Sequence, residues 1–127
     1  MDLLKAGSDW LQDQREKFLS RRIVYERDVN SVEVSATIGK TIFRLDSGYG
    51  RIERIEARDY LVTAAELILN AAVVTPHPGD RIREADDSLV YVYEVMAPAN
   101  EPVYRFSDAY RKTLRIHTKL ISTEPVP

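Results

Sequence analysis

The sequence contains no cysteine, which excludes disulfide bridges and thiolate metal sites. Its two histidines, His77 and His117, lie far apart and belong to no HExxH or HxE pattern. The sequence contains no Gly-x-Ser-x-Gly elbow, and the lack of cysteine removes the thiol nucleophile as well. The sequence therefore offers no catalytic residue, metal site or cofactor site, and we expect a protein that binds and assembles rather than an enzyme.

Long hydrophobic runs are also missing. The longest apolar stretch, 67–74, is interrupted by Asn70 and is far shorter than the roughly 20 residues that cross a bilayer. Residues 1–5 lack the basic start and continuous apolar run of a signal peptide. We therefore expect no membrane partner and a chain that stays in the compartment where it is made.

The bulk composition is that of a folded chain with one core. It has 127 residues, of which 44% are hydrophobic and 30% charged, with a formal net charge of −2. This length suits one ordinary domain, so residues 1–127 are predicted to form a single domain. The slightly acidic balance gives no global attraction to nucleic acid or to an anionic membrane.

The N-terminal region carries a helical pattern over about residues 3–18. Its apolar stripe consists of Leu3, Leu4, Trp10, Leu11 and Phe18, with charged side chains on the other side. One interpretation is a surface helix that covers a β core. In the other, the stripe with Trp10 and Phe18 docks on a neighbouring subunit.

From about residue 22 the hydrophobic period changes from 3.6 to 2. Val32, Val34, Ala36 and Ile38 alternate with polar residues, as in a strand that is buried on one face. Gly39 is expected to separate this strand from the next one. Further short strands follow, and a Pro-containing tail at 122–127 is expected to be frayed. The predicted β segments are 23–25, 32–38, 41–45, 52–62, 81–84, 89–96, 103–106 and 114–121.

These strands make up a β core over about residues 22–121 without long intervening helices. The pattern predicts a mainly β fold, a small antiparallel barrel or sandwich with one N-terminal helix.

Two segments are candidates for contacts between subunits or with partners. Residues 46–50 form a glycine-rich loop with Tyr49 at its tip, and no helix or Gly-Lys-Ser/Thr follows to make it a phosphate cradle. The strand 52–62 alternates charges, which is typical of a solvated face or of ion pairs between strands. In a ring, Arg54 and Arg58 would instead form pairs between subunits.

The segment 105–119 is basic although the chain as a whole is acidic. On a strand, Arg115, His117 and Lys119 share one face. This face is a candidate lining for a channel through which DNA passes, held by phosphate attraction without reading of sequence. The alternative is a solvated face that pairs with acidic neighbours such as Glu94, with His117 at the surface or in an interface.

Several segments taken together resemble one family. Residues 78–82 (Pro-Gly-Asp-Arg-Ile) precede a turn, which Tyr93-Glu94-Val95 follow. Towards the C-terminus come residues 104–108 and then the basic strand 114–119. Over about residues 3–121 the chain resembles the head–tail joining proteins of tailed bacteriophages and prophages, the stopper, head-completion or neck class.

The resemblance implies a structural virion protein that forms a six- or twelve-fold homo-oligomeric ring in the neck. Such a ring contacts the portal or adaptor on one side and the tail terminator or tail tube on the other. It binds no cofactor, catalyses nothing, and in some members retains packaged DNA. Because the loops 46–50 and 98–102 are shorter than the plugs of this class, the joining role is better supported than the gating role. Assembly in the host bacterial cytoplasm fits a chain without cysteine or signal peptide.

Two alternatives remain at this stage. One is a neighbouring virion role, as tail terminator or minor tail protein. The other is a small β-barrel binding module unrelated to phage, which would show aromatic side chains on a basic sheet face. Tyr91 and Tyr93 lie among apolar residues instead, which favours a place in the core.

Overall fold

The computed structural model describes residues 20–46, 48 and 50–126. This part of the chain forms nine strands and one short 3-10 turn, Ala64–Glu66. The helix predicted over 3–18, including Trp10 and Phe18, lies outside the described residues, as does Tyr49. The strands are β1 (Ser20–Arg27), β2 (Asn30–Asp46), β3 (Ile52–Thr63), β4 (Ile68–Leu69), β5 (Ala72–Val73), β6 (Arg81–Asp86), β7 (Leu89–Val95), β8 (Tyr104–Phe106) and β9 (Thr113–Pro125).

Seven of these strands form one antiparallel sheet in the order β3-β2-β1-β6-β7-β9-β8, and β4 and β5 form a separate ribbon. The sheet bends until β3 also pairs with β9, so β1, β2, β3, β9, β7 and β6 follow one another in a cycle of pairings. Beyond this contact β3 and β9 separate, and the sheet makes no clear barrel. The predicted mainly β, antiparallel architecture is confirmed.

The hydrophobic core lies on the concave side of the cycle. Val34 and Ala36 are buried, and Val32 and Ile38 pack partly against the core, as the alternation over 32–38 predicts. The β1–β2 hairpin turns at Asp28 and Val29, with Asp28 at a φ of +54°. The fully buried core side chains include Ile23, Tyr25, Tyr60, Val62, Leu67, Ile82, Leu114 and Ile116.

Gly39 does not divide two strands, which corrects the expectation from the sequence. Strand β2 runs unbroken from Asn30 to Asp46. A Cβ atom at Gly39 would lie 3.2 Å from Nη2 of Arg115 and 3.3 Å from Cδ1 of Leu61. The missing side chain therefore makes room for the Arg115 guanidinium, and the strand passes through the position.

The C-terminal segment is also more ordered than the sequence indicates. Strand β9 continues to Pro125 instead of fraying at Ser122, and Ser122–Pro125 pair with Val92–Leu89 of β7 after a bulge. The polar composition of this segment resembles a loop, but β7 supplies the partner that local sequence cannot show. Proline is tolerated here because it stands at the end of the strand.

Shortening Ile82 should destabilise the protein strongly, because this side chain is fully buried between β1 and β7. We expect Ile82→Ala to lower the free energy of unfolding by about 2–5 kcal/mol. Val29→Ala is the control, since Val29 is 97% exposed and should change stability by less than about 0.5 kcal/mol. Urea denaturation measures both variants, and equal losses would contradict this description of the core.

Candidate functional site

Three alternate side chains face the core along β6 and the residue before it. They are acidic, apolar and acidic in turn: Asp80, Ile82 and Glu84. The first acid, Asp80, is buried. Its carboxylate accepts hydrogen bonds from the Tyr25 hydroxyl, from Arg27 Nη2 at 2.8 Å and from the His77 backbone N–H at 3.0 Å. Burial, and then the bond to Asp80, raise the pKa of Tyr25, so the phenol stays a neutral donor. Asp80 thus ties the Pro-Gly-Asp turn to β1.

The second acid of the row, Glu84, is held at the other end of the core. Arg58 Nη2 lies 2.9 Å from both carboxylate oxygens of Glu84, and the Tyr60 hydroxyl donates to the carboxylate at 3.0 Å. The Arg58 guanidinium also lies 5.1 Å from the centre of the Tyr93 ring. Although burial alone lowers the pKa of Arg58, the bonds to Glu84 and Tyr60 raise it, and the arginine stays charged. Arg58, predicted to pair between subunits, pairs within the subunit.

A third buried acid, Asp59, lies on the opposite face of β3 from Tyr60. Its carboxylate accepts hydrogen bonds from the Thr41 hydroxyl and from Arg115 Nε at 2.7 Å. The Nδ1 atom of His117 lies 2.8 Å away and donates, since an ionised carboxylate only accepts. Burial raises the pKa of Asp59. The hydrogen bonds from His117, Thr41 and Arg115 lower it by a larger amount, so the pKa lies below its usual value. This cluster joins β2, β3 and β9.

Asp59 therefore binds two members of the predicted basic face of β9, and the third stays apart from this cluster. The expectation of a surface or interface histidine is wrong: His117 is 3% exposed and stacks edge-on against Phe43, with 5.1 Å between ring centres. Arg115 is mostly buried through its pair with Asp59. Lys119 is exposed, with Glu94 of β7 opposite it in register. Only Lys119 of the three keeps its charge on the open surface.

One segment projects beyond the cycle of strands. Within the described part of the chain, residues 41–46 of β2 and 52–57 of β3 form strand pairs only with each other, and we call this hairpin the β2–β3 arm. Gly48 and Gly50 turn its tip with φ values of +83° and +74°, a region that favours glycine. Ile42 and Ile52 are exposed on the arm. Arg54, a predicted interface residue, is exposed as well and stands directly opposite Arg44.

A groove of about 330 Å³ opens where β3 and β9 separate. Lys40, Arg58 and Lys119 line it, together with Glu56 and Tyr93. Lys40 and Glu56 form a surface ion pair at 3.7 Å, whereas the exposed Lys119 forms no ion pair with a described residue. The groove is a mixed polar cleft with a positive side.

The chemistry of these clusters is structural. Each of these three buried carboxylates forms an ion pair with an arginine and accepts a hydrogen bond from a hydroxyl or an imidazole. This arrangement fixes the strands in register. Among the residues that the structure describes, no group of three or more His, Cys, Asp and Glu side chains is placed to hold a metal ion. The sequence missed the roles of Asp59 and Glu84. The alternating charges of β3 include Asp59 itself and Arg58, the partner of Glu84.

Removing the charge of Asp59 should weaken the fold most at neutral pH. We expect Asp59→Asn to lower the free energy of unfolding by about 3 kcal/mol, because Arg115 loses its buried partner. Because the pKa of Asp59 is lower in the folded than in the unfolded state, its carboxylate stabilises the fold at pH values above the unfolded pKa of about 3.9. This contribution is lost as the pH falls through the lower pKa of the folded state. The difference between parent and variant should therefore narrow under acid.

Urea denaturation at a series of pH values from about 3 to 7 measures this difference. Asp28→Asn, in the exposed β1–β2 turn, is the matched control and should remain within about 0.5 kcal/mol of the parent. A stability difference for Asp59→Asn that stays constant into acid would show that the Asp59 carboxylate is not the stabilising group.

Comparison with known proteins connects this architecture to phage assembly. No helix in the described ranges, 20–46, 48 and 50–126, has both the length and the apolar character to cross a membrane. A search of curated proteins returns no match. The model of one family, described as phage head-tail joining protein, matches residues 1–125. This match covers nearly the whole chain and confirms the resemblance that the sequence segments carry. The chain therefore belongs to the phage head-tail joining protein family, a structural family of the virion neck that interacts with other head and tail proteins.

Proposed function

We propose that this protein forms a ring of identical subunits that joins the portal or adaptor of the capsid to the tail. The observation that carries the proposal is the family match over residues 1–125. A ring of six or twelve copies would meet the rotational symmetry of both neighbours. Assembly takes place in the cytoplasm of the host bacterium.

The distribution of polar contacts supports an assembly role. Three buried acid–arginine clusters cross-link the strands, whereas the β2–β3 arm exposes apolar and charged side chains, and among the described residues its two strands pair only with each other. An isolated two-stranded hairpin is at best marginally stable in water. A rigid body with a protruding arm is suited to bridging two larger assemblies.

A subsidiary role in retaining packaged DNA rests on the exposed cations around β9. Arg105, Arg111 and Lys119 are exposed, and cations on the inner surface of a ring would attract phosphates without reading sequence. Arg115 does not contribute to this surface, since Asp59 holds it. The short tip of the arm supports phosphate attraction more than a mechanical plug.

A phage deleted for this gene should accumulate DNA-filled heads and free tails that do not join. Adding the purified protein to such a lysate should restore tailed particles, which negative-stain electron microscopy and plaque titre measure. Heads that join tails of abnormal length would instead identify a tail terminator. Normal joining without the protein would contradict the proposal.

Neutralising Lys119 should weaken the hold on DNA and leave the fold intact. We expect Lys119→Gln particles to release DNA faster as salt is raised, because each lost phosphate contact removes a salt-dependent interaction. Nuclease accessibility of packaged DNA measures release, and Arg22→Gln on β1 is the control. Equal release by both variants would remove Lys119 from DNA retention. Arg115→Glu does not test this role, since it would disrupt the Asp59 cluster.

A further inference from the structure

The exposed face of the β2–β3 arm carries a pair of like charges. Arg44 and Arg54 stand directly opposite each other across the two strands, both exposed, and neither forms an ion pair with another described residue. Like charges directly opposite each other destabilise a hairpin. Ile42 and Ile52 lie on the same face, one on each side of the arginines. Asp46 and Glu56 share this face, opposite Ile52 and Ile42 respectively, and Glu56 already pairs with Lys40. The arginine pair at the centre of the face, with an isoleucine on each side, fits an acidic surface with apolar neighbours.

The same chain has such a surface at the β6–β7 turn. Asp86 and Asp87 are exposed there, and among the described residues neither has a cationic partner. Leu89 and Val126 expose apolar side chains beside the turn, where the Val126 N–H donates to the carbonyl of Ser88 at 3.0 Å. We call Asp86, Asp87, Leu89 and Val126 the acidic turn. Its charge and apolar content are complementary to those of the arm.

The strand registers place these two surfaces at the same end of the molecule and on opposite sides. Ser20, the first residue of β1, pairs with Thr37, close to where the arm leaves the sheet. Strand β6 is antiparallel to β1, so its C-terminal turn lies at that same end. In the cycle of pairings, β1 on one side and β9 on the other separate the β2–β3 pair from the β6–β7 pair. Complementary surfaces on opposite sides at one height give a head-to-tail contact that can close a ring.

We propose that the β2–β3 arm of one copy docks on the acidic turn of the next copy, with Arg44 and Arg54 against Asp86 and Asp87. This inference rests on the proposed ring and assigns its subunit contact. Apolar contact of Ile42 and Ile52 with Leu89 and Val126 accompanies the ion pairs. The opposed arginines then gain carboxylate partners that no described residue of their own chain provides.

Charge reversal on each surface tests the contact. Arg44→Glu with Arg54→Glu should weaken self-association at least tenfold, and Asp86→Lys with Asp87→Asn should do the same. Mixed one to one, the two variants should assemble again, because each arm then meets a turn of opposite charge around an even-numbered ring. Native mass spectrometry measures assembly, with circular dichroism and urea denaturation to show that each variant is folded.

The lack of cysteine in the chain allows a second, geometric measurement. Oxidation of an Arg54→Cys, Asp86→Cys variant should give a ladder of dimers, trimers and larger species in denaturing gels. The control combines Arg54→Cys with Val29→Cys, which is equally open but lies at the far end of the molecule, and should give no ladder.

The outcomes separate this contact from the ring itself. Rings that form equally well with the reversed charges, and show no Arg54–Asp86 cross-link, would overturn the arm-to-turn contact and leave ring assembly standing. A parent protein that is monomeric both alone and in isolated necks would overturn the ring and this contact with it. Cross-linking that stops at dimers would indicate a two-fold contact and overturn the head-to-tail arrangement.

Discussion

An arginine–carboxylate pair stands at each end of the hydrophobic core, and the fold depends on both. Asp80 and Glu84 flank Ile82 on the core-facing side of β6, and Arg27 and Arg58 meet the two acids. A buried charge without its partner would cost several kcal/mol, so the two pairs act against any other register of β6. This matters because β6 meets β1 over only three residue pairs. The apolar layer between supplies most of the favourable free energy, while the charges select which strands enclose it.

Local pattern was sufficient where a strand buries one face against neighbours close in sequence. The alternation from Val32 to Ile38 was predicted, since the period of apolar residues is a local property. The continuation of β2 through Gly39 was not, because the reason is the guanidinium of Arg115, 76 positions later. The same holds for Ser122, which is ordered by β7. A single chain read in order does not show which distant strand occupies the space beside it.

The charged residues show the same limit more sharply. The alternating charges of β3 correctly indicated cross-strand ion pairs, but Arg58 finds its acid in β6 and Asp59 finds its bases in β9. His117 lies in a strand whose pattern fits a surface position, but it is buried against Phe43, with Asp59 opposite it in register. The charged residues could be listed from the sequence, but their partners could not. The strand register determines which charged side chains form ion pairs within the subunit and which stay exposed.

That division is itself the strongest structural reason to place assembly on the arm. Three of the basic residues singled out from the sequence, Arg58, Arg115 and His117, are tied to buried acids, so their removal would act first on folding. Arg54 remains exposed, opposite a second arginine, on a hairpin that stabilises little by itself. A subunit that satisfies its internal charges but places two arginines opposite each other on an exposed face would gain stability there through contact with an acidic surface. The proposed contact between the arm and the acidic turn would supply that stability only in the assembled state.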